Sequence, residues 1–281
     1  MKKRVPHRCR VIRSPWPGVF GTDIDSGHRY APHWHTAFGF GLIERGAHRS
    51  MSGRGIVDAH VGEVIASNPG EVHDGRSLGG GSRRWRMVYL DPSTMASMAG
   101  QPETPAVDVR LTEAVIQDRT LTLVLRQLFR RLEHWGLATL PSPSASLGCE
   151  EALARACGIL LRGHSTVPPT VEAGGDVAQV RERLADDLVS TPSLSELAAI
   201  VGLSRYQLLR RFERVYGMAP FEWQRQVRAE RARALIGSGL ELAQVAIDCG
   251  FADQSHMTRA FAGHFGFTPG VWAAARHTNR S

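Results

Sequence analysis

Three histidines are the best-placed residues for chemistry in the front of this chain. His33 and His35 flank Trp34, and His73 follows the turn Asn68-Pro69-Gly70-Glu71-Val72. Imidazole ligates transition metals, and it also donates and accepts hydrogen bonds. Three of them from two β segments can therefore hold a metal or line a pocket for a small polar ligand. The i, i+2 spacing places His33 and His35 on one face of a strand. Trp34, Phe38 and Phe40 supply apolar walls, and Glu44, His60 and Arg86 are further polar candidates.

A second set of residues, toward the other end, suits contact with a base edge. Residues 195–216 read SELAAIVGLSRYQLLRRFERVY. Ser195 can cap a short helix carrying Leu197, Ala198 and Val201, and Gly202 permits a sharp turn. Ser204 can cap a second helix whose Leu208 and Phe212, four apart, face inward. The side read as exposed then holds Arg205, Tyr206, Leu209 and Arg210. Arg can donate two hydrogen bonds to guanine, while Tyr and Leu can meet phosphate or a thymine methyl. This is the layout of a helix-turn-helix with the second helix as reader.

The bland alternative is a solvated helical pair, but the pattern returns about fifty residues later in LAQVAIDCGFADQSHMTRAFAGHFG, residues 242–266. Val245 and Ala246 supply a first helix, Cys249-Gly250-Phe251 a turn, and Asp253 a cap. Met257 and Phe261 are expected inside, with Gln254, Ser255, Thr258 and Arg259 outside and His256 nearby. Between the two units, Pro220 to Ile236 reads as one helix opened by proline, with Trp223, Val227, Ala234 and Leu235 as its buried stripe. Such a helix can hold two readers about one turn of major groove apart.

The elements that must position these residues divide the chain in two. Its 281 residues, 42% hydrophobic, suffice for two cores. Lys plus Arg number 34 against 27 acidic residues, a net charge of +7 that suits a polyanionic partner. Part of that charge is a cluster of Lys2, Lys3, Arg4, Arg8, Arg10 and Arg13. Four scattered cysteines exclude an all-cysteine zinc site and a disulfide framework. No signal peptide or transmembrane stretch is visible, so a cytoplasmic protein without membrane association is expected. Up to about residue 92, short alternating runs separated by glycine-rich turns predict seven or eight strands in a small sandwich or barrel. From Leu121 the pattern is helical: Leu121, Leu125, Leu128 and Leu132 share one face. A second amphipathic stretch, Glu150 to Leu161, follows a Pro/Ser loop. Residues 163–176, GHSTVPPTVEAGGD, read as a linker.

Residues 177–281 resemble the DNA-binding domain of the AraC/XylS transcriptional regulators. The resemblance is carried by Leu197-Ala198, Gly202-Leu203-Ser204, Arg210 with Phe212, Gly217 with Pro220, and Arg228 with Ala232 and Leu235. In the second half it is carried by Ile247, Gly250-Phe251, Ser255, Arg259 with Phe261, Gly266 and Thr268-Pro269. Ala229, Met257 and Ala273 depart from the family pattern. The resemblance implies that Tyr206, Leu209 and Arg210 face bases from the first reader, and Gln254, Ser255, Thr258 and Arg259 from the second.

The front of the chain resembles the cupin-like sensor domain found on many such regulators, with Gly62…Pro69-Gly70-x-x-His73 similar to the second cupin motif. The first motif is incomplete, because the carboxylate expected shortly after His35 is missing. Glu44 comes later and would face the other way on an undisturbed strand.

The expected architecture is thus a cupin-like β-barrel with accessory helices over residues 1–162, a linker at 163–176, and an all-α double helix-turn-helix domain over 177–281. The expected function is an effector-controlled transcriptional regulator, more often an activator than a repressor, that acts on a double-stranded operator. His33, His35, His73, Trp34, Phe40 and Glu44 are read as effector contacts. The helices at 121–132 and 150–161 are read as dimerisation helices, and RNA polymerase as a further contact. No cofactor, metal or catalytic residue is expected. Two alternatives stand beside this reading: an effector-independent regulator whose barrel serves dimerisation, and a metal-dependent cupin enzyme fused to a DNA-binding domain.

Overall fold

The computed structural model describes residues 7–52, 54–98, 109–138, 141–167, 176–265 and 267–277. Lys2, Lys3 and Arg4 of the basic cluster, residues 168–175 of the expected linker, and Gly266 lie outside the described residues. The chain forms two compact units. One is Met1–Pro141 with Ala152–Glu172, and the other is Ser142–Glu151 with Ala173–Ser281.

The first unit opens with β1 (His7–Ile12), β2 (Val19–Ser26), β3 (Tyr30–His33), β4 (Phe38–Arg45) and β5 (His48–Ser52). It continues with β6 (Gly55–Ala59), β7 (Val64–Ser67), β8 (His73–Ser77), β9 (Arg83–Leu90), α1 (Pro92–Met98), β10 (Val115–Ile116) and α2 (Arg119–Leu137). Helix α3 (Pro143–Gly163) then spans the division, its residues from Ala152 onward belonging here.

The strands form two antiparallel sheets, ordered β1-β2-β9-β4-β7-β10 and β3-β8-β5-β6. The expected barrel is not formed: among the described residues the outer strands of each sheet stay unpaired with one another, and neither sheet closes on itself. Closure needs a matched stagger around the whole ring, and a two-residue β10 and a second sheet of four- and five-residue strands offer too short a ladder. The sheets pack face to face instead, with Ile43, Trp85 and Met87 of one against Ala59 of the other. An alternating strand with one buried face reads the same in a sandwich and in a barrel.

Strand β4 is buried along most of its length because both of its faces are covered. Phe38, Phe40, Leu42 and Glu44 point to one side, where Arg86 lies over the Phe129 ring of α2. Gly39, Gly41 and Ile43 point to the other, toward Trp85, Met87 and Tyr89. Glycine is needed at residue 41, where a Cβ would lie 1.8 Å from the Arg86 carbonyl oxygen. On α2, Leu121, Leu125, Leu128 and Leu132 are all fully buried within a single chain. The leucine stripe is therefore consumed by packing within the chain.

In the second unit, α3 begins at Pro143 inside the Pro/Ser run that reads as a loop in the sequence, with proline in its first turn. Then follow α4 (Ala178–Asp186), α5 (Leu194–Ile200), α6 (Arg205–Tyr216), α7 (Pro220–Gly237), α8 (Leu242–Asp248), α9 (Gln254–Phe265) and α10 (Pro269–His277). The buried row of α7 is Pro220, Gln224, Arg228, Ala232 and Ile236, with Ala229 beside it. The predicted stripe misses this row: Trp223, Val227 and Leu235 are half-buried and Ala234 is exposed. Apolar residues are spread around α7, so its neighbours rather than its own pattern select the inner face. Among the described residues, no helix is long and apolar enough to cross a membrane.

Candidate functional site

The three histidines converge, by a route different from simple strand alternation. His33 ends β3 and pairs directly with His73 at the start of β8. His35 lies beyond the strand, and its carbonyl accepts a 2.8 Å hydrogen bond from the Gly70 amide. Gly70 has φ +73°, a left-handed conformation that glycine adopts without a Cβ clash. The turn at residues 68–71 is thereby held against the His35 backbone. Ring centroids are 4.6 Å apart for His33–His73, 5.1 Å for His33–His35 and 5.3 Å for His35–His73. One ring nitrogen from each residue falls within 4.8 Å of the others.

Second partners fix two of the rings. Nδ1 of His33 lies 2.7 Å from the Ala31 carbonyl and Nδ1 of His73 lies 2.9 Å from the Glu71 carbonyl. A carbonyl only accepts, so each Nδ1 carries a proton and Nε2 is the nitrogen left to meet a ligand. Burial, followed by the neighbouring His73 and His33, pushes His35 below the usual imidazole range. His73 is lowered as well, mainly by burial. Neutral imidazoles anchored at Nδ1 by backbone carbonyls are the form in which histidine ligates a metal, and the donor set fits a divalent transition ion. Zinc–nitrogen bonds of about 2.0–2.1 Å require the nitrogens to close to roughly 3.4 Å, from a spacing of up to 4.8 Å. Among the described residues, no carboxylate joins the group. Glu71 is committed to Arg54 through two 2.7 Å contacts. Although burial opposes it, those bonds and one from the Asn68 backbone hold the Glu71 carboxyl below its usual range.

The other expected contacts differ in their surroundings. Trp34 is 57% exposed. Phe40 and Glu44 sit on the α2 side of the first sheet, opposite the side that carries Tyr89, whose ring is 5.4 Å from that of His35. Glu44 pairs with Arg86 instead. Two residues that the sequence reading passed over are close to the cluster. His48 lines a cavity of about 60 Å³ together with Ser50, Ser52, Glu71 and His73. Its Nδ1 accepts a 2.7 Å hydrogen bond from Nε of Arg83, which is fully buried over the Trp85 ring. Because guanidinium only donates, His48 is neutral and presents its proton at Nε2. Burial pushes its pKa down to about 4. The alternation His48-Arg49-Ser50-Met51-Ser52, polar at every position of one face, is the signal that marks this wall.

The reading helices in the second unit are built on local signals. The α5 cap is Ser193, not Ser195, in a capping box with Glu196, and α6 has the same box from Ser204 and Gln207. Asp253 accepts from the His256 amide at 2.6 Å at the start of α9. The two turns are made by Gly202 at φ +63° and Gly250 at φ +73°. On α9, Gln254, Ser255 and Arg259 are exposed and Thr258 is half-buried. On α6, Tyr206 and Arg210 are half-buried, and Arg205 is drawn inward onto the Ser195 hydroxyl at 2.6 Å. Leu209, read as exposed, is 1% exposed and is buried along with Leu208 and Phe212. The inner face of α6 is wider than an i, i+4 pair, and it includes the adjacent leucine.

Comparison with known proteins finds two family matches along the chain. Residues 17–156 match the AraC-like ligand binding domain model, and residues 197–275 match a helix-turn-helix domain model. The chain is 24% identical over 232 residues to the uncharacterized HTH-type transcriptional regulator YbfI of Bacillus subtilis, covering 82% of each chain. It is 27% identical over 189 residues to the HTH-type transcriptional activator RhaR of Shigella flexneri, covering 66% of this chain and 61% of RhaR. A solved structure of oxalate decarboxylase from Bacillus subtilis, with manganese centres, aligns at 16% identity and a TM-score of 0.28, over 31% of this chain and 26% of that one. The expectation that this chain has no catalytic role is corrected by the histidine cluster, a ligand set of the kind on which metal-dependent catalysis is built.

Proposed function

The chain belongs to the AraC/XylS family of DNA-binding transcriptional regulators, with an AraC-type ligand-binding domain ahead of its helix-turn-helix region, and on that premise we propose that it reads a bipartite operator under the control of a small effector. Tyr206 and Arg210 act from α6, and Gln254, Ser255, Thr258 and Arg259 from α9. The observation that carries this reading is the repeated unit of left-handed glycine turn, capped helix and inward apolar residues at both ends of α7. Arg donates two parallel hydrogen bonds to guanine, and Gln, Ser and Thr reach base edges or phosphate. The effector occupies the first unit beside His33, His35, His48 and His73. An effector that binds one arrangement of the chain better than another changes how often the readers meet DNA in register. A homodimer on paired sites, gene activation and contact with RNA polymerase complete the proposal. Selection of duplexes from a random pool by the full chain, followed by footprinting, tests it. Two protected segments about one helical turn apart are expected, and uniform protection without sequence preference would oppose it.

A second reading is favoured by the Nδ1 anchors of His33 and His73. In it, His33, His35 and His73 hold one divalent transition metal through Nε2. When bound, such an ion supplies a Lewis-acid centre with open positions for an oxygen-donor ligand. The residues' own contribution is to remain neutral, keep their orientation and leave the cavity side accessible.

A further inference from the structure

Two adjacent acidic residues in the middle of α3, Glu150 and Glu151, are 6% and 2% exposed. Carboxylates are seldom buried unless paired or hydrogen-bonded, and both of these reach into the DNA-reading helices. Glu150 Oε2 accepts a 2.8 Å hydrogen bond from the Leu194 amide in the first turn of α5. Glu150 Oε1 lies 3.5 Å from the Ser195 hydroxyl and 3.6 Å from Nε of Arg205. Ser195 Oγ in turn accepts from Arg205 Nε at 2.6 Å. Glu151 Oε1 accepts from the Phe221 amide in the first turn of α7 at 2.6 Å. The amides at residues 194 and 221 have no intrahelical acceptor of their own, and one short stretch of α3 satisfies both.

Residues 142–151 lie inside the ligand-binding-domain match at 17–156 and outside the helix-turn-helix match at 197–275, yet they fold with the second unit. Resting on the DNA-reading function proposed above, we infer that Glu150 is a positioning residue of the first reader, fixing the first turn of α6 through Ser195 and Arg205, and that the DNA-reading unit includes residues 142–151. Arg205 opens α6 one residue ahead of Tyr206 and five ahead of Arg210. Where its side chain is anchored therefore sets the direction in which both face. Burial pushes the Glu150 carboxyl above its usual range, and the Leu194 amide and Arg205 act against that shift. Glu151 plays the parallel part for α7 at the Phe221 amide.

The test uses the full chain and a duplex selected from a random pool by the wild-type protein, with Arg210→Ala and Arg259→Ala marking which half-site each reader contacts. Glu150→Gln keeps an acceptor for Leu194 and removes the charge facing Arg205. It is expected to weaken binding about tenfold, through loss of the ion-pair contact that anchors Arg205. Base substitutions in the first-reader half are expected to lose their effect while those in the second half keep theirs. Combined with Arg205→Ala, Glu150→Gln should add no further loss, since both act on one path. If Glu150→Ala unfolds the chain on circular dichroism, the Gln variant carries the test alone. Additive losses, or equal losses at both half-sites, would assign Glu150 a general structural role and overturn the inference. Failure of the wild-type chain to select any sequence would defeat the DNA-reading function itself, and the inference with it.

Discussion

Gly202 and Gly250 make the two reader turns with nearly the same backbone, but their surroundings differ, and alanine at each separates two physical costs. At Gly202, φ is +63° and nothing lies within 4 Å of the site a Cβ would take. Gly202→Ala should therefore cost only the left-handed penalty for a non-glycine residue, about 1–2 kcal/mol. At Gly250, φ is +73° and the same Cβ would lie 2.0 Å from the Leu188 carbonyl oxygen and 3.0 Å from Val189 Cα. Both neighbours are backbone, so they cannot move aside as a flexible side chain would. Overpacking adds about 1–3 kcal/mol, giving roughly 2–5 kcal/mol for Gly250→Ala. The assay is urea denaturation followed by far-ultraviolet circular dichroism, with binding to the selected duplex measured in parallel. Gly202→Ala should lower the midpoint modestly and keep both half-sites protected. Gly250→Ala should lower it further and lose protection at the α9 half-site first. Equal destabilisation by the two variants would refute the close approach at Gly250.

Leu209→Ala should destabilise the fold by about 2–4 kcal/mol, as for a buried leucine, and leave base preference unchanged in a panel of substituted duplexes; altered preference with unchanged stability would return Leu209 to the DNA surface. His48, facing Arg83, His73 and Asp74, has a folded pKa of about 4, below its unfolded value. The stability it contributes is therefore complete above about pH 6.5 and lost as pH falls toward 4, by up to about 1.4 kcal/mol per pH unit. His48→Asn, which keeps an acceptor for Arg83, should flatten the urea midpoint against pH across that window. On the metal reading, cobalt(II) titration should saturate at one ion per chain with visible absorption bands, and His33→Ala or His73→Ala should abolish them. Absence of saturable binding would leave the three imidazoles as hydrogen-bonding groups of the effector cavity.

The parts of the molecule legible in the sequence are those written in short-range signals. A glycine turn, a Ser or Asp cap and apolar residues four apart identify both reader units, because each signal acts within one or two helical turns. The orientation of Glu44 away from the histidines also follows from strand alternation. What escaped depends on distant neighbours. His33 and His35 meet His73 because the Gly70 amide holds the backbone of His35 after β3 has ended. The inner row of α7 includes Gln224 and Arg228, which no hydrophobic pattern would select. Sheet closure depends on edge pairing, and strand periodicity carries no record of it. Glu150 and Glu151 look like ordinary surface residues of an amphipathic helix until the amides of Leu194 and Phe221 are brought to them.

The central claim is that this regulator reads DNA through two helices held at the ends of α7. Base-substitution footprinting of the full chain, with Arg210→Ala and Arg259→Ala compared on the same selected duplex, addresses it most directly. Each substitution should cost about 1–3 kcal/mol and relax preference in one half-site only, with the two halves about one helical turn apart. Unchanged affinity and base preference in both variants, or relaxation of the same half-site by each, would contradict the account.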